Sequence, residues 1–169
     1  MTESITPWIH IVAVAAWLGP QFFMFLVTMP ALRAIEDPDV RLRVLRITTN
    51  RFGWLAWAAM TVIVLTGISN LFQEIEDFPH VFDPDYRYFQ IFSTKMVLVG
   101  LAVLLTALHT FVVGPRQLRL AEEMRSDSPE AGRLRRASII FSSLVLLLSI
   151  AVVFAGALLA HHEWSFEPV

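Results

Sequence analysis

The chain has 169 residues, a formal net charge of −2, and 56% hydrophobic against 17% charged residues. A mean hydropathy of +0.60 excludes an ordinary soluble domain and points to the membrane class. Cysteine is absent, which excludes disulfides, thiolate metal sites and thiol redox chemistry.

Four predominantly apolar runs follow one another: Trp8–Leu32, Trp54–Phe72, Met96–Val113 and Ala137–Ala160. Each is near or above the roughly 18 to 20 residues a membrane-spanning helix needs, which predicts spans over about 7–33, 52–73, 89–114 and 136–161. The first run follows Met1–Pro7, which carries Glu3 and no Lys or Arg. It is too long for the apolar core of a signal peptide and is expected to persist as a helix. Within it His10, Trp17, Gln21, Met24 and Thr28 recur at steps of 7, 4, 3 and 4, a single helix face. A polar face on a membrane helix is expected to turn toward other helices.

Arg33, Arg41, Arg43, Arg46 and Arg51 separate the first run from the second, and Asp37-Pro38 reads as a helix N-cap followed by a first-turn proline. After the second run, Gln73–Tyr88 reads as an acidic connection (Glu74, Glu76, Asp77, Asp83, Asp85) that includes His80. The default for His80 is a solvated loop histidine, with cation capture as the second reading.

The third run holds Lys95, the chain's single lysine. A charge at the centre of a span costs about 2.5–3.5 kcal/mol, so Lys95 is a functional candidate, although near a span end it can snorkel to the surface. His109 follows fourteen residues later, on nearly the same face but about 21 Å deeper. It is expected to bond a loop carbonyl or Asn50, and Gly114-Pro115-Arg116 closes the run. A second arginine-rich stretch (Arg116, Arg119, Arg125, Arg133, Arg135, Arg136) leads into the fourth run, with a helix restart expected over Ser126–Pro129. The fourth run ends in His161-His162-Glu163-Trp164. No internal repeat and no low-complexity segment is legible.

Short loops rich in Lys and Arg stay in the cytoplasm. Both arginine stretches are therefore expected there, with the N-terminus, the acidic connection and the tail from His161 outside. The predicted fold class is all-α, a membrane-spanning up-down four-helix bundle forming a single domain.

This topology places His10, His80, His161 and His162 on one side and His109 on the other. Imidazole suits copper, zinc and haem iron. His10 is the central candidate, with His161 or His162 as partner. Adjacent helical residues point about 100° apart, so that pair cannot both face one site on an unbroken helix. Met24 adds a thioether suited to Cu(I), though methionine is also ordinary apolar filler. Lys95 is a candidate cofactor residue, as counter-charge to a propionate or as an axial ligand. No phosphate loop, nucleophile elbow, zinc-protease helix or nucleic-acid patch is legible.

His10 with Trp17 seven positions on and then Gly19, closed by Pro30-Ala31-Leu32-Arg33, resembles the CopD-like membrane protein family. Phe52 through Thr66-Gly67, with its Leu-Thr-Gly ending, and Lys95–Arg116, with its late His and Gly-Pro-Arg, are similar to that family's second and third helices. The resemblance implies copper uptake or resistance at the bacterial inner membrane. The related HemJ-like branch, associated with haem b and protoporphyrinogen oxidation, shares the first-helix His and a third-helix Lys, here His10 and Lys95. The chain departs from that branch at Gly19-Pro20-Gln21.

Three readings follow. The first is copper binding near the extracytoplasmic face through His10, His161 or His162, and Met24. The second is a haem b protein with His10 axial, paired with His161, His162 or Lys95; it acts as an electron carrier or a porphyrinogen oxidase, the one reading that makes the chain an enzyme. The third is a cofactor-free structural subunit or assembly factor. The expected partners are the lipid bilayer and a metal ion or haem, with a homo-oligomer or membrane complex left open and nucleic acid excluded.

Overall fold

The computed structural model describes residues 2–78, 80–123 and 128–169. It is 88% helical, and no strand occurs among the described residues. The helices are α1 (Thr2–Phe23), α2 (Met29–Ala34), α3 (Pro38–Asp77), α4 (Arg87–Leu108), α5 (Gly114–Glu122), α6 (Pro129–Leu159) and the short α7 (His162–Ser165). Single π-helical turns join α1 to α2 (Met24–Thr28) and α4 to α5 (His109–Val113).

Among the described residues four stretches are long and apolar enough to cross a membrane: Ile5–Ala34, Pro38–Asp77, Arg87–Leu120 and Pro129–Leu159, of 30, 40, 34 and 31 residues. Their outward faces carry large apolar side chains such as Leu26, Trp54, Phe111 and Phe154. Continuous apolar exposure of that kind is untenable in water and natural in lipid. The fold class is the expected one, all-α with spanning helices.

The helices outrun the predicted spans at two places, and caps explain both starts. The second spanning helix begins at Pro38, so the helix expected to start at Asp37-Pro38 is not a separate short one but continues through Arg41–Arg51 into the second span. Asp37 Oδ1 accepts from the Asp39 N–H at 2.8 Å and the Val40 N–H at 3.2 Å, and Pro38 presets the first turn. The same device starts α6, where Ser128 Oγ accepts from the Ala131 N–H at 3.2 Å ahead of Pro129. Arg125 and Ser126 lie outside the described residues. At its far end α3 continues to Asp77, so the expected connection over Gln73–Tyr88 is shorter than the sequence suggests.

The chain divides into two compact units, Met1–Pro79 and His80–Val169. In the first, α1 and α2 run antiparallel to α3. Ala13 and Ala16 of α1 and Ala58 and Ala59 of α3 line a common groove, and such small residues let two backbones approach closely. In the second, α4 and α5 run antiparallel to α6, whose Val145, Ser149, Ala155 and Leu159 are buried. The C-terminal tail folds back onto the start of α4. Phe166 stacks on Tyr88 at 4.6 Å between ring centres, Glu167 pairs with Arg87, and the Val169 N–H donates to the Asp85 carbonyl at 2.8 Å.

The two units repeat one design, against the expectation of no internal repeat. Each opens with a spanning helix that widens into a five-residue π turn immediately before a residue-proline pair, Met29-Pro30 and Gly114-Pro115. Proline has no N–H, and its ring would strike the carbonyl four residues back in a regular helix. The wider turn relieves this. Met29 N–H donates to Met24 O, and Gly114 N–H to His109 O, each five residues back. A short arginine-bearing helix follows, then a side-chain cap and a proline-initiated spanning helix. In this register His10 and Lys95 correspond, each twenty residues before its proline, and Met24 corresponds to His109, each opening its π turn. The repeat escapes the sequence because corresponding positions share geometry and few side chains.

Candidate functional site

In the first unit the polar face of α1 turns inward as expected: Trp17 and Gln21 are each 6% exposed and Thr28 is 9% exposed. Gln21 Nε2 donates to the Trp17 carbonyl at 3.1 Å. His10, half-buried, meets α3. Its Nδ1 lies 2.8 Å from Thr66 Oγ1. That hydroxyl has a single hydrogen, which goes to a backbone carbonyl of its own helix, with Val62 O at 2.6 Å and Ile63 O at 3.3 Å. Thr66 therefore accepts from the His10 Nδ1–H, and the ring's lone pair resides on Nε2. The ring also lies against Gly67, where an added Cβ would stand 3.4 Å from His10 Cε1. Thr66 and Gly67 thus fix the tautomer and give the ring its seat. Histidines that ligate metals are commonly held this way, through the nitrogen that does not bind.

Two further polar residues follow Thr66 on the same face of α3 at helical steps of four, Asn70 and Glu74. Asn70 Oδ1 and Glu74 Oε2 are both shielded from solvent. The sequence alone reads Glu74 as part of a loop and gives Asn70 no role. The signal was the spacing 66, 70, 74, which becomes legible once α3 is known to run to Asp77. Met24 does not join His10. It lies about 21 Å further along the helix, lining a groove with Thr28, Thr48 and Arg51, and so cannot share an ion with it.

In the second unit Lys95, the counterpart of His10, bends toward α6. Its Nζ stands 3.5 Å from the place a Cβ would take at Gly156. The two units therefore seat a basic side chain against a glycine of the facing helix. The residue before that glycine differs: Thr66 in the first unit, Ala155 in the second. His109 bonds two serines of α6 rather than a loop carbonyl or Asn50. Its Nε2 lies 2.9 Å from Ser138 Oγ and 3.4 Å from Ser142 Oγ, because antiparallel packing brings that face of α6 to the π turn. The Ser138–Ser142 step of four was the overlooked signal.

His161 and His162 are both exposed at the end of α6. The helix unwinds at His161 (φ −92°, ψ 73°), and His162 opens α7 with its ring edge-on to Phe166. The 100° separation expected for an unbroken helix therefore does not apply. His80 stacks on Tyr86 at 4.7 Å and lies 3.5 Å from Asp83 Oδ2. Among the described residues no three His, Asp or Glu side chains converge to enclose an ion.

Four membrane-crossing helices in two repeated pairs, with polar chemistry confined to a few seam residues, define a multi-pass helical membrane protein. Residues 46–159 match the family described as copper resistance protein D. The chain belongs to that family, and its role is that of a membrane protein of copper resistance and handling. The match takes in Thr66, Asn70, Glu74, Lys95 and Gly156, and begins after His10 and ends before His161. Neither the curated proteins nor the solved structures returned a match.

Proposed function

We propose that the protein handles copper at the extracytoplasmic face of the bacterial inner membrane, with His10 as its principal ligand. The observation that carries this is the hydrogen bond between His10 Nδ1 and Thr66 Oγ1, which orients the imidazole through one nitrogen, the way metal-ligating histidines are commonly held. Copper, as cargo, would meet one oriented imidazole with side-chain oxygens of Asn70 and Glu74 further along α3. Nitrogen and oxygen donors of this kind suit Cu(II). Orientation rests on charge. The arginine-rich segments lie at the α2–α3 and α5–α6 turns, and positive segments stay inside. His10, near the opposite end of α1, then faces outward, as do His161 and His162, exposed imidazoles suited to first capture.

Elemental analysis and a visible spectrum of the purified protein test this. Stoichiometric copper that is lost in His10→Ala is the expected result. A Soret band that disappears with His10→Ala would sink copper and install haem b, and a protein holding neither after growth with both would sink both. A reporter fused after Val169 is expected to be active only outside the cytoplasm.

A further inference from the structure

Away from His10, the first unit carries a groove of about 350 Å³ between the end of α1 with its π turn and the arginine-bearing part of α3. That volume lies at the small end of the range for ligand sites. Pro20, Phe23, Phe52 and Leu55 give it an apolar wall, and toward the start of α3 it turns polar with Thr48 and Arg51. The second unit treats its π turn differently. There His109 opens the turn and bonds Ser138 and Ser142, tying it to α6. Met24 opens the first turn, has no hydrogen to donate, and lines the groove.

Arg51 is exposed and stands directly before the apolar stretch that runs on to Phe72. Three residues further, Trp54 is 81% exposed, and tryptophan concentrates at the level of lipid headgroups. The guanidinium therefore sits where water gives way to hydrocarbon. Its own helix pair offers it no counter-charge. Acidic residues are absent from Ser4 to Ile35 and from Val40 to Gln73. Along α3 the nearest carboxylate, Asp39, is about 18 Å of helix rise away. Arg87 and Arg119, by contrast, pair with Glu167 and Glu123. At headgroup depth the anion at hand is lipid phosphate, which a guanidinium holds through two oxygens at once.

We propose that this groove binds one anionic phospholipid. Arg51 clamps the phosphate, the Thr48 hydroxyl donates to it, and an acyl chain lies along Pro20, Phe23, Phe52 and Leu55. A zwitterionic lipid has the same phosphate but brings an ammonium group beside the guanidinium, so the site prefers a headgroup with net negative charge. The lipid site does not depend on copper at His10.

Native mass spectrometry of the full chain, released from nanodiscs of equal phosphatidylglycerol and phosphatidylcholine, tests this. One phosphatidylglycerol is expected to stay on each chain. Arg51→Gln is expected to weaken it about ten-fold, the scale of one charge-assisted hydrogen bond. Arg51→Lys, which keeps the charge and loses the fork, is expected to fall between the two. Arg43→Gln, which removes an exposed arginine of the same helix outside the groove, is expected to keep wild-type binding. Wild-type retention in Arg51→Gln, or equal losses in Arg43→Gln and Arg51→Gln, overturns the site in favour of diffuse surface charge. Equal retention of phosphatidylcholine overturns the preference for an anionic lipid. Displacement of the lipid by inorganic phosphate overturns the acyl seat and leaves a site for free phosphate.

Discussion

Thr66→Val isolates the orientation of His10 from everything else the first helix pair does. Valine keeps the shape of threonine and removes the hydroxyl, hence the 2.8 Å acceptor for Nδ1. The Val62 carbonyl also loses the 2.6 Å side-chain donor, but as a mid-helix carbonyl it keeps its main-chain bond. The stability cost should be small. Interhelical hydrogen bonds in membranes average about 0.6 kcal/mol, and a typical net hydrogen bond is worth about 1 kcal/mol. The cost to a metal should be larger, because the imidazole can then rotate and exchange tautomers. Loss of an outer-shell partner lowers metal affinity about 10- to 100-fold, equivalent to about 1.4–2.8 kcal/mol. The discriminating quantity is therefore the difference between the two effects. Calorimetric copper titration beside thermal unfolding, on protein in nanodiscs, measures both, and Thr66→Ser should restore most of the affinity. Copper binding at wild-type strength in Thr66→Val would refute the assignment of Nε2 as the poised ligand. Losses of equal size in stability and affinity would make the bond merely structural.

The repeat makes a constructive prediction. Lys95→His together with Ala155→Thr rebuilds in the second pair the histidine, threonine and glycine of the first. Copper content is expected to rise toward twice the wild-type value, and unchanged stoichiometry in a folded double variant would count against the equivalence. Lys95→Met removes an ammonium whose burial in a span costs up to about 2.5–3.5 kcal/mol, so a higher unfolding temperature in detergent is expected; a lower one would mean that the charge makes a stabilising contact. His109→Ala breaks the bonds to Ser138 and Ser142 at a cost of about 1 kcal/mol, with copper binding at His10 unchanged. Loss of copper in that variant would show that the inner histidine belongs to the metal path.

Much of the fold can be read from local chemistry alone. The apolar runs mark the spans because backbone groups in lipid must be satisfied within the helix itself. Asp37-Pro38 announces a helix start because a carboxylate oxygen can reach the first free N–H groups. Hydropathy misjudges helix ends, however, since it senses what lipid tolerates rather than where backbone bonding stops. For that reason Gln73–Asp77 reads as a loop although it continues α3, and the helix begun at Asp37-Pro38 reads as separate from the second span although the two are one helix. The site was half legible: His10 stood out as a polar residue on an apolar helix, while Thr66 was an ordinary residue in an apolar run. Its importance comes from the packing of α3 against α1, which no single-helix pattern contains.

The sequence by itself determines four spanning helices, the absence of thiol chemistry and the short list of side chains able to do chemistry. These follow from composition and from interactions within a few residues along the chain. Tertiary structure alone decides that Thr66 fixes the His10 tautomer, that Lys95 rests on Gly156, that Met24 stands apart from His10, and that two helix pairs repeat one design. Each of those depends on which residues meet across a helix seam. Antiparallel packing sets that register through the summed fit of many small contacts, none of which is visible one residue at a time.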